Sequence, residues 1–168
     1  MTVTIHPGAM LVGKTWIHID SHVIIDSYTF LAASEQSPIY IGKYCHVAAF
    51  VSIAGGPVTL EDYCNVGAGS RLVAGSDDFR ASLIGPTIPA QFRNVNREGI
   101  VLKRHATLGA NCVVLPGITM AEGSMGGAAT LIRKNTEPWG IYAGTPARRI
   151  GTRDKDLCLY FESLLENS

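Results

Sequence analysis

The chain has 168 residues, which favours a single domain, and its 46% hydrophobic and 17% charged composition excludes a disordered protein. Fourteen basic residues balance fourteen acidic ones, which excludes a nucleic-acid-binding protein held by a strongly basic surface. No apolar run approaches the roughly 18 residues of a membrane span, and residues 1–14 lack the basic head and apolar stretch of a signal peptide. We therefore expect a cytoplasmic protein with no membrane insertion and no nucleic-acid partner.

Aliphatic residues recur at every sixth position along most of the chain, and we call these positions the ladder. Gly126 is its one exception. A helix would need spacings of three and four and a simple strand would alternate, so period six indicates a short strand followed by a tight turn. Three such units make one triangular coil, and coils stack through parallel strand pairing. The ladder residues are Ile19, Ile25, Leu31, Ile41, Val47, Ile53, Leu60, Val66, Leu72, Leu102, Leu108, Val114, Met120 and Ile132.

The coils are predicted over residues 17–73 and 101–135, with residues 1–16 as a cap on the first coil. Residues 74–100 break the period, and a loop this long inside a compact domain is usually functional. Gly126 is expected to leave a void in the core, so that Gly126→Val would be tolerated or stabilising.

Asp154 or Asp156 is predicted to cap a C-terminal helix whose apolar residues share one face. We expect this face to pack across the end of the coils. The face consists of Leu157, Tyr160, Phe161, Leu164 and Leu165.

Four cysteines lie far apart without a Cys-x-x-Cys pair, whereas zinc sites usually have clustered ligands. We interpret them as buried, reduced thiols, and we expect no metal. They are Cys45, Cys64, Cys112 and Cys158.

Between about residues 17 and 150 the chain resembles the hexapeptide-repeat acyltransferases, most specifically in the segments LGAN, VLPGIT, GGAAT and AGTPAR of residues 100–150. The resemblance implies an all-β fold, a left-handed parallel β-helix of hexapeptide repeats. Residues 1–153 would form this domain, with loop 74–100 extruded over the active site, and residues 154–168 would add a short C-terminal α-helix. It also implies a homotrimer with active sites between adjacent subunits.

The resemblance further implies an acetyl-CoA-dependent enzyme that transfers an acetyl group to a hydroxyl or amine of a sugar. The tail PWGIYAGTPARRI is similar to acyltransferases of bacterial surface-polysaccharide and lipopolysaccharide biosynthesis, which makes a nucleotide-linked sugar or amino sugar the expected acceptor. From residue 90 onward ten basic residues face seven acidic ones, which favours a phosphate-rich donor at that end. By the resemblance, the donor contacts Ala110, Gly127 and Ala128, and its phosphates lie near Arg133, Lys134 and Arg148.

Acyl transfer to a hydroxyl or ammonium group needs a base, and the sequence leaves two alternatives open. Asp77 and Asp78 stand where many related sugar acetyltransferases carry a histidine. His46 lies at an outward position, and imidazole exchanges protons near neutral pH. His105 is expected in an exposed turn.

Two other classes of protein remain as alternatives. A zinc hydratase of the carbonic-anhydrase β-helix type would need three histidines around one metal, whereas His18 and His22 have no third partner at a matching coil. A non-catalytic β-helix scaffold would need neither the loop nor the basic end.

Overall fold

The computed structural model describes residues 2–167, a left-handed parallel β-helix of about seven coils with one extruded loop and one helix, which confirms the predicted fold class. Met1 and Ser168, which the predicted domain ranges include, lie outside the described residues. The first three coils contain β1 (Val3–Ile5), β2 (Met10–Val12), β3 (Ile17–Ile19), β4 (Val23–Ile25), β5 (Phe30–Ala32), β6 (Ile39–Ile41), β7 (His46–Val47), β8 (Ser52–Ala54) and β9 (Val58–Leu60).

The fourth coil carries the loop, and the seventh ends the β-helix. These coils contain β10 (Asn65–Val66), β11 (Arg71–Val73), β12 (Gly75–Asp77), β13 (Val95–Arg97), β14 (Ile100–Leu102), β15 (Thr107–Leu108), β16 (Val113–Val114), β17 (Thr119–Met120), β18 (Met125–Gly126), β19 (Leu131–Ile132), β20 (Gly140–Ala143) and β21 (Arg148–Thr152). The helix α1 is Lys155–Glu166, and Asp154 caps it by accepting a hydrogen bond from Leu157 N at 2.9 Å.

Parallel pairing of strands from successive coils builds the three flat faces of the prism. Face A is β1-β4-β7-β10-β15-β18-β20, with β21 antiparallel at its edge; face B is β2-β5-β8-β11-β16-β19; and face C is β3-β6-β9-β14-β17. The cap expected over residues 1–16 is therefore wrong, because β1 and β2 already belong to the first coil.

The ladder side chains point into the prism and form its core. From Ile25 to Ile132 they are at most 2% exposed, and Ile19 is half-buried in the first coil. Cys45, Cys64 and Cys112 are buried free thiols in this core, while the free thiol of Cys158 is half-buried. Burial raises the pKa of the Cys112 thiol. The ladder prediction is confirmed.

Gly126 does not leave the void predicted from the sequence. A Cβ there would lie 3.1 Å from Leu108 Cδ2 and 3.6 Å from Ile132 Cδ1, because these two ladder side chains already fill the space. That Gly126→Val is tolerated or stabilising stays a prediction, because even the Cβ requires Leu108 to move by a few tenths of an ångström and valine adds two further methyl groups.

Aromatic rings stack along the corner that joins face C to face A. His22, Tyr44, Tyr63 and His105 occupy one left-handed position in successive coils, with φ between 56° and 62°. Their ring centroids are 4.5, 5.1 and 4.9 Å apart, which matches the spacing of the coils. Equivalent corners therefore place equivalent side chains in contact along the axis of the prism.

Helix α1 packs along this aromatic column, not across the end of the coils as predicted. Glu162 bonds His105 Nε2 at 2.7 Å and pairs with Arg104, and Glu166 accepts from Tyr63 Oη at 3.1 Å. His105 is only 5% exposed, so its expected place in an exposed turn is also wrong; burial and the guanidinium groups of Arg104 and Arg153 lower its pKa. The residues of the predicted apolar face, Leu157, Tyr160, Phe161, Leu164 and Leu165, are 44–60% exposed.

The loop leaves the prism at the corner between faces B and C as an antiparallel hairpin. β12 pairs with β13, and Arg97 Nη1 donates to Gly55 O at 2.6 Å at the base of the hairpin. The tip consists of residues 78–94; Ile88 is half-buried there, whereas four other large apolar side chains are more than half exposed. These side chains are Phe79, Leu83, Ile84 and Phe92.

We predict that Gly67→Ala lowers the free energy of unfolding by about 1–3 kcal/mol, because the new Cβ would lie 2.5 Å from the carbonyl carbon of Gly109. Gly127 occupies the same corner position, but a Cβ there would lie 3.4 Å from Tyr142 O, so Gly127→Ala is the matched control. Thermal denaturation of the two variants provides the measurement. Equal midpoints would contradict the close approach of these coils.

Candidate active site

Small residues line the corner that joins face A to face B over the last four complete coils. Gly67, Gly109 and Gly127 take its first position, and a Cβ on Gly109 would lie 2.7 Å from the next coil's Ala128 N. The second position is alanine throughout. These alanines are Ala49, Ala68, Ala110 and Ala128. We call this column of glycines and alanines the ledge; it runs parallel to the axis of the prism and carries no large side chain.

The ledge presents backbone N–H groups to its outer surface. The carbonyls of Ala68 and Ala110 accept from Asn111 N and Ala129 N, both at 2.8 Å, and so join successive coils. Within residues 2–167, no acceptor pairs with the N–H of Ala68, Ala110 or Ala128. These unpaired N–H groups can donate hydrogen bonds to the carbonyls of an amide-containing molecule that lies along the ledge, or to an oxyanion formed beside it.

The predicted phosphate-binding residues lie at the C-terminal end of the prism, with Arg148 beside the ledge corner and Arg133 and Lys134 at the B–C corner, across face B from the ledge. Arg133, Lys134 and Arg148 line a cleft of about 280 Å³ between the last face-B strand, β19, and the hairpin of β20 and β21. Arg149 in the same cleft pairs with Glu137 at 3.0 Å. No ion pair within residues 2–167 neutralises Arg133, Lys134 or Arg148. Their uncompensated charge fits phosphate groups.

His46 lies beside the lower end of the ledge and bonds through both ring nitrogens. Nε2 is 2.9 Å from Asp26 Oδ2 in the preceding coil, and Nδ1 is 3.0 Å from Asn65 Oδ1 in the following coil. The three side chains are outward-facing neighbours near the A–B corner and are half-buried or partly exposed. Sequence reasoning identified His46 but missed Asp26 and Asn65, which lie 20 and 19 residues away.

Asp77 and Asp78, although adjacent, have different environments. Asp77 Oδ1 accepts from Arg93 Nε and Nη2 at 2.9 and 2.8 Å, and both side chains are about 15% exposed. Asp78 accepts from Arg80 N at 2.9 Å and from Asn94 Nδ2 at 3.3 Å. No described cation forms an ion pair with Asp78, and it opens into a cleft of about 470 Å³ that Arg133 also lines. Asp78 is therefore the one of the two carboxylates in this cleft that lacks a cation partner among the described residues.

The predicted site residues form two groups in one chain. His46 and the ledge share the A–B corner, whereas Asp77, Asp78 and their loop leave from the B–C corner. Arg133 belongs to the aspartate side, since it follows β19 at the B–C corner and lines both the C-terminal cleft and the cleft of Asp78. The structure brings the three predicted phosphate-binding cations into one cleft, but it does not bring His46 to the aspartates within a single chain.

Neither a metal-binding cluster nor a membrane-spanning helix is found among the described residues. Within residues 2–167, no group of three or more His, Cys, Asp or Glu side chains is arranged to hold a metal ion. No helix among the described residues is long and apolar enough to cross a membrane.

No protein-family model matches this chain, but individual proteins do. The dTDP-4-amino-4,6-dideoxy-D-glucose acyltransferase of Escherichia coli is 29% identical over 99% of this chain and 86% of that protein. A protein named as a lipopolysaccharide biosynthesis O-acetyl transferase, WbbJ of Escherichia coli K12, is 26% identical over 67% of this chain and 56% of its own. Thus both relatives carry the names of sugar-modifying or polysaccharide acyltransferases.

The period-six prism, the ledge and the basic cleft define a hexapeptide-repeat acyltransferase, and the chain belongs to this family of sugar acyltransferases. Among solved structures, AntD, an N-acyltransferase from Bacillus cereus, is 30% identical with a TM-score of 0.91 over 98% of this chain and 87% of its own, in complex with dTDP and 3-hydroxybutyryl-CoA. A variant of AntD, 29% identical with a TM-score of 0.86 over 99% and 86% of the two chains, is in complex with dTDP-4-amino-4,6-dideoxyglucose and coenzyme A. The resemblance found in the sequence is confirmed.

We predict that Asp77→Ala loosens the tip of the loop, because Arg93 would keep a mostly buried charge without its partner. Hydrogen exchange across residues 78–94 should accelerate in this variant while exchange in the coils stays unchanged. Asp78→Ala is the matched control and should leave the exchange pattern nearly as it is. Equal acceleration in both variants would show that the Asp77–Arg93 pair does not hold the loop.

Proposed function

We propose that the protein transfers an acetyl or related acyl group from coenzyme A to the amino group of a dTDP-linked amino sugar. The observation that carries this proposal is the ledge of exposed N–H groups that leads away from the unpaired cations Arg133, Lys134 and Arg148. A coenzyme A thioester has phosphates for that cleft and two amides for that ledge. The E. coli relative and AntD support the nucleotide-linked amino sugar as acceptor.

The spacing of the coils predicts where the thioester would lie. Strands of adjacent coils are about 4.8 Å apart, so the three steps from the coil of Arg133 to the coil of His46 span roughly 14 Å. The arm of coenzyme A has about 13 bonds between its phosphorus and its sulfur, or roughly 15 Å when extended. Arg133 also lies about 10 Å from the ledge across face B, so a donor whose phosphates lie there would place its sulfur near the coil of Asn65.

The exposed surfaces support a homotrimer in which the two groups of site residues meet between copies. Large apolar side chains on faces A and B are exposed in the first three coils, and Tyr28 stacks on Phe50 with centroids 5.1 Å apart. A second copy of this chain would cover these side chains and bring its loop, with Asp78, toward the ledge. The other exposed members of this patch are Val3, Ile5, Met10, Val12, Ile24 and Phe30.

In this site the chain's residues would perform three tasks. Asp78 would bind the acceptor's ammonium group, which loses one proton to solvent before it attacks. The N–H groups of the ledge would stabilise the oxyanion, and His46 would accept the second proton, which the attacking amine loses. We further propose that the enzyme acts in the cytoplasm, where nucleotide sugars and coenzyme A thioesters are made, and that its product enters surface polysaccharide, as the name of WbbJ supports.

Thiol release tests this function directly. With acetyl-CoA or 3-hydroxybutyryl-CoA, the protein should release coenzyme A when dTDP-4-amino-4,6-dideoxyglucose is supplied, and the product should carry a new amide by mass spectrometry. dTDP-6-deoxyglucose, which differs only in carrying a hydroxyl at that carbon, is the matched acceptor and should turn over at least about a hundredfold more slowly, because a neutral hydroxyl is a weaker nucleophile and lacks the charge that Asp78 would bind. Equal turnover of both acceptors, or none with the amino sugar, would refute the proposal.

The donor cleft gives a separate prediction. Arg148→Ala should raise the KM for acetyl-CoA about tenfold or more with little change in kcat, because a charge-assisted hydrogen bond to phosphate contributes about 1.5–3 kcal/mol. Lys14→Ala, a cation in the first coil far from the cleft, is the control and should leave the KM unchanged. Equal KM values in the two variants would place the donor elsewhere.

A further inference from the structure

Asp26, His46 and Asn65 form a hydrogen-bonded chain that crosses three successive coils. Asp26 follows β4, His46 begins β7 and Asn65 begins β10, and β7 pairs with both other strands on face A. These three hydrogen-bonded side chains therefore form a row along the axis of the prism. Asp26 is the end of the row away from the donor cleft, and Asn65 is the end toward it.

The two hydrogen-bond partners of His46 determine which of its ring nitrogens exchanges a proton during the reaction. An ionised carboxylate only accepts hydrogen bonds, so Asp26 keeps a proton on Nε2. The other nitrogen, Nδ1, faces Asn65, which is on the side of the donor. His6 Nε2 lies 3.9 Å from the second oxygen of Asp26, Oδ1, and does not compete for Oδ2.

The Asn65 amide suits both protonation states of Nδ1. With its oxygen toward the ring, as in the structure, Asn65 accepts a hydrogen bond from Nδ1–H of a doubly protonated imidazole. A half-turn of the amide presents an N–H instead, which donates to the lone pair of a neutral ring. Neither glutamate nor lysine at this position would offer both arrangements, so an amide is the group that this role requires.

We propose that Asp26 and Asn65 are positioning residues for acyl transfer, which fix His46 with Nδ1 as the nitrogen that exchanges the proton. This inference rests on the proposed function. The neutral amine takes the place of the Asn65 amide at Nδ1, forms a bond to the acyl carbon and loses a proton to Nδ1. The C–S bond then breaks, the proton passes from Nδ1 to the leaving sulfur, and the Asn65 amide returns to Nδ1. Asp26 ends the cycle unchanged, as an ionised carboxylate bonded to Nε2.

The position of this chain of residues matches the reach of the donor. The sulfur would lie about two coils below Arg133, at the level of Asn65, and the ledge alanine of that coil, Ala68, has an unpaired N–H for the oxyanion. Asp26 lies two coils beyond that point, so it can act on the reaction only through His46.

A double-mutant cycle of Asp26→Asn and His46→Gln tests the proposal, with thiol release from acetyl-CoA and dTDP-4-amino-4,6-dideoxyglucose as the assay. Asp26→Asn should lower kcat at least about tenfold with unchanged KM values for both substrates, and His46→Gln should lower it about a hundredfold or more. In the His46→Gln background, Asp26→Asn should cost nothing further, because its partner is gone.

Asp20→Asn is the matched control, since Asp20 occupies the same turn position one corner earlier and its carboxylate accepts from Ser21 N at 2.6 Å. All variants should keep the thermal midpoint and the mass of the wild-type assembly. An Asp26→Asn variant as active as Asp20→Asn, or losses that multiply in the double variant, would overturn this inference while leaving the function standing. A wild-type protein without turnover would instead refute the proposed function.

Discussion

Parallel pairing between successive coils constrains every outward feature of this protein. Each coil repeats the path of the coil beneath it at the strand spacing, because the ladder side chains fill the same interior position at every level. Residues at equivalent positions therefore form straight columns on the outside. One column is aromatic and carries the helix, another is the ledge, and a third contains His46 and Asn65.

Because the coils are evenly spaced, a distance along the axis of the prism corresponds to a number of coils. A donor held by its phosphates at Arg133 has an arm of fixed length, so the level of its thioester follows from the stacking and not from any single contact. Corner glycines such as Gly67 and Gly109 are needed because adjacent coils approach too closely for a Cβ there. The fold and the donor site thus depend on the same close approach.

The sequence predicted the interior well because period six is imposed on each coil by its own core. It identified the small residues of GGAAT and the cations beside AGTPAR because each segment is continuous in the chain, and their contact with a donor stays a prediction. Asp26 and Asn65 could not be predicted because they lie 20 and 19 residues from His46 in the sequence. They contact it only because the coils stack with these residues at neighbouring positions. The packing of α1 was missed for a related reason: an apolar stripe does not reveal that the prism offers Arg104 and His105, whose charge and hydrogen bonds select the glutamate face of the helix.

A crystal structure of the protein with coenzyme A and dTDP tests the central claim most directly, because it locates the sulfur relative to the coils. Our account predicts a trimer in which the phosphates contact Arg133 or Arg148, the arm follows Ala128 and Ala110, and the sulfur lies within reach of His46 Nδ1, directly or through one water. A donor bound on another corner, or a sulfur that stops at the coil of Met125, would contradict the account.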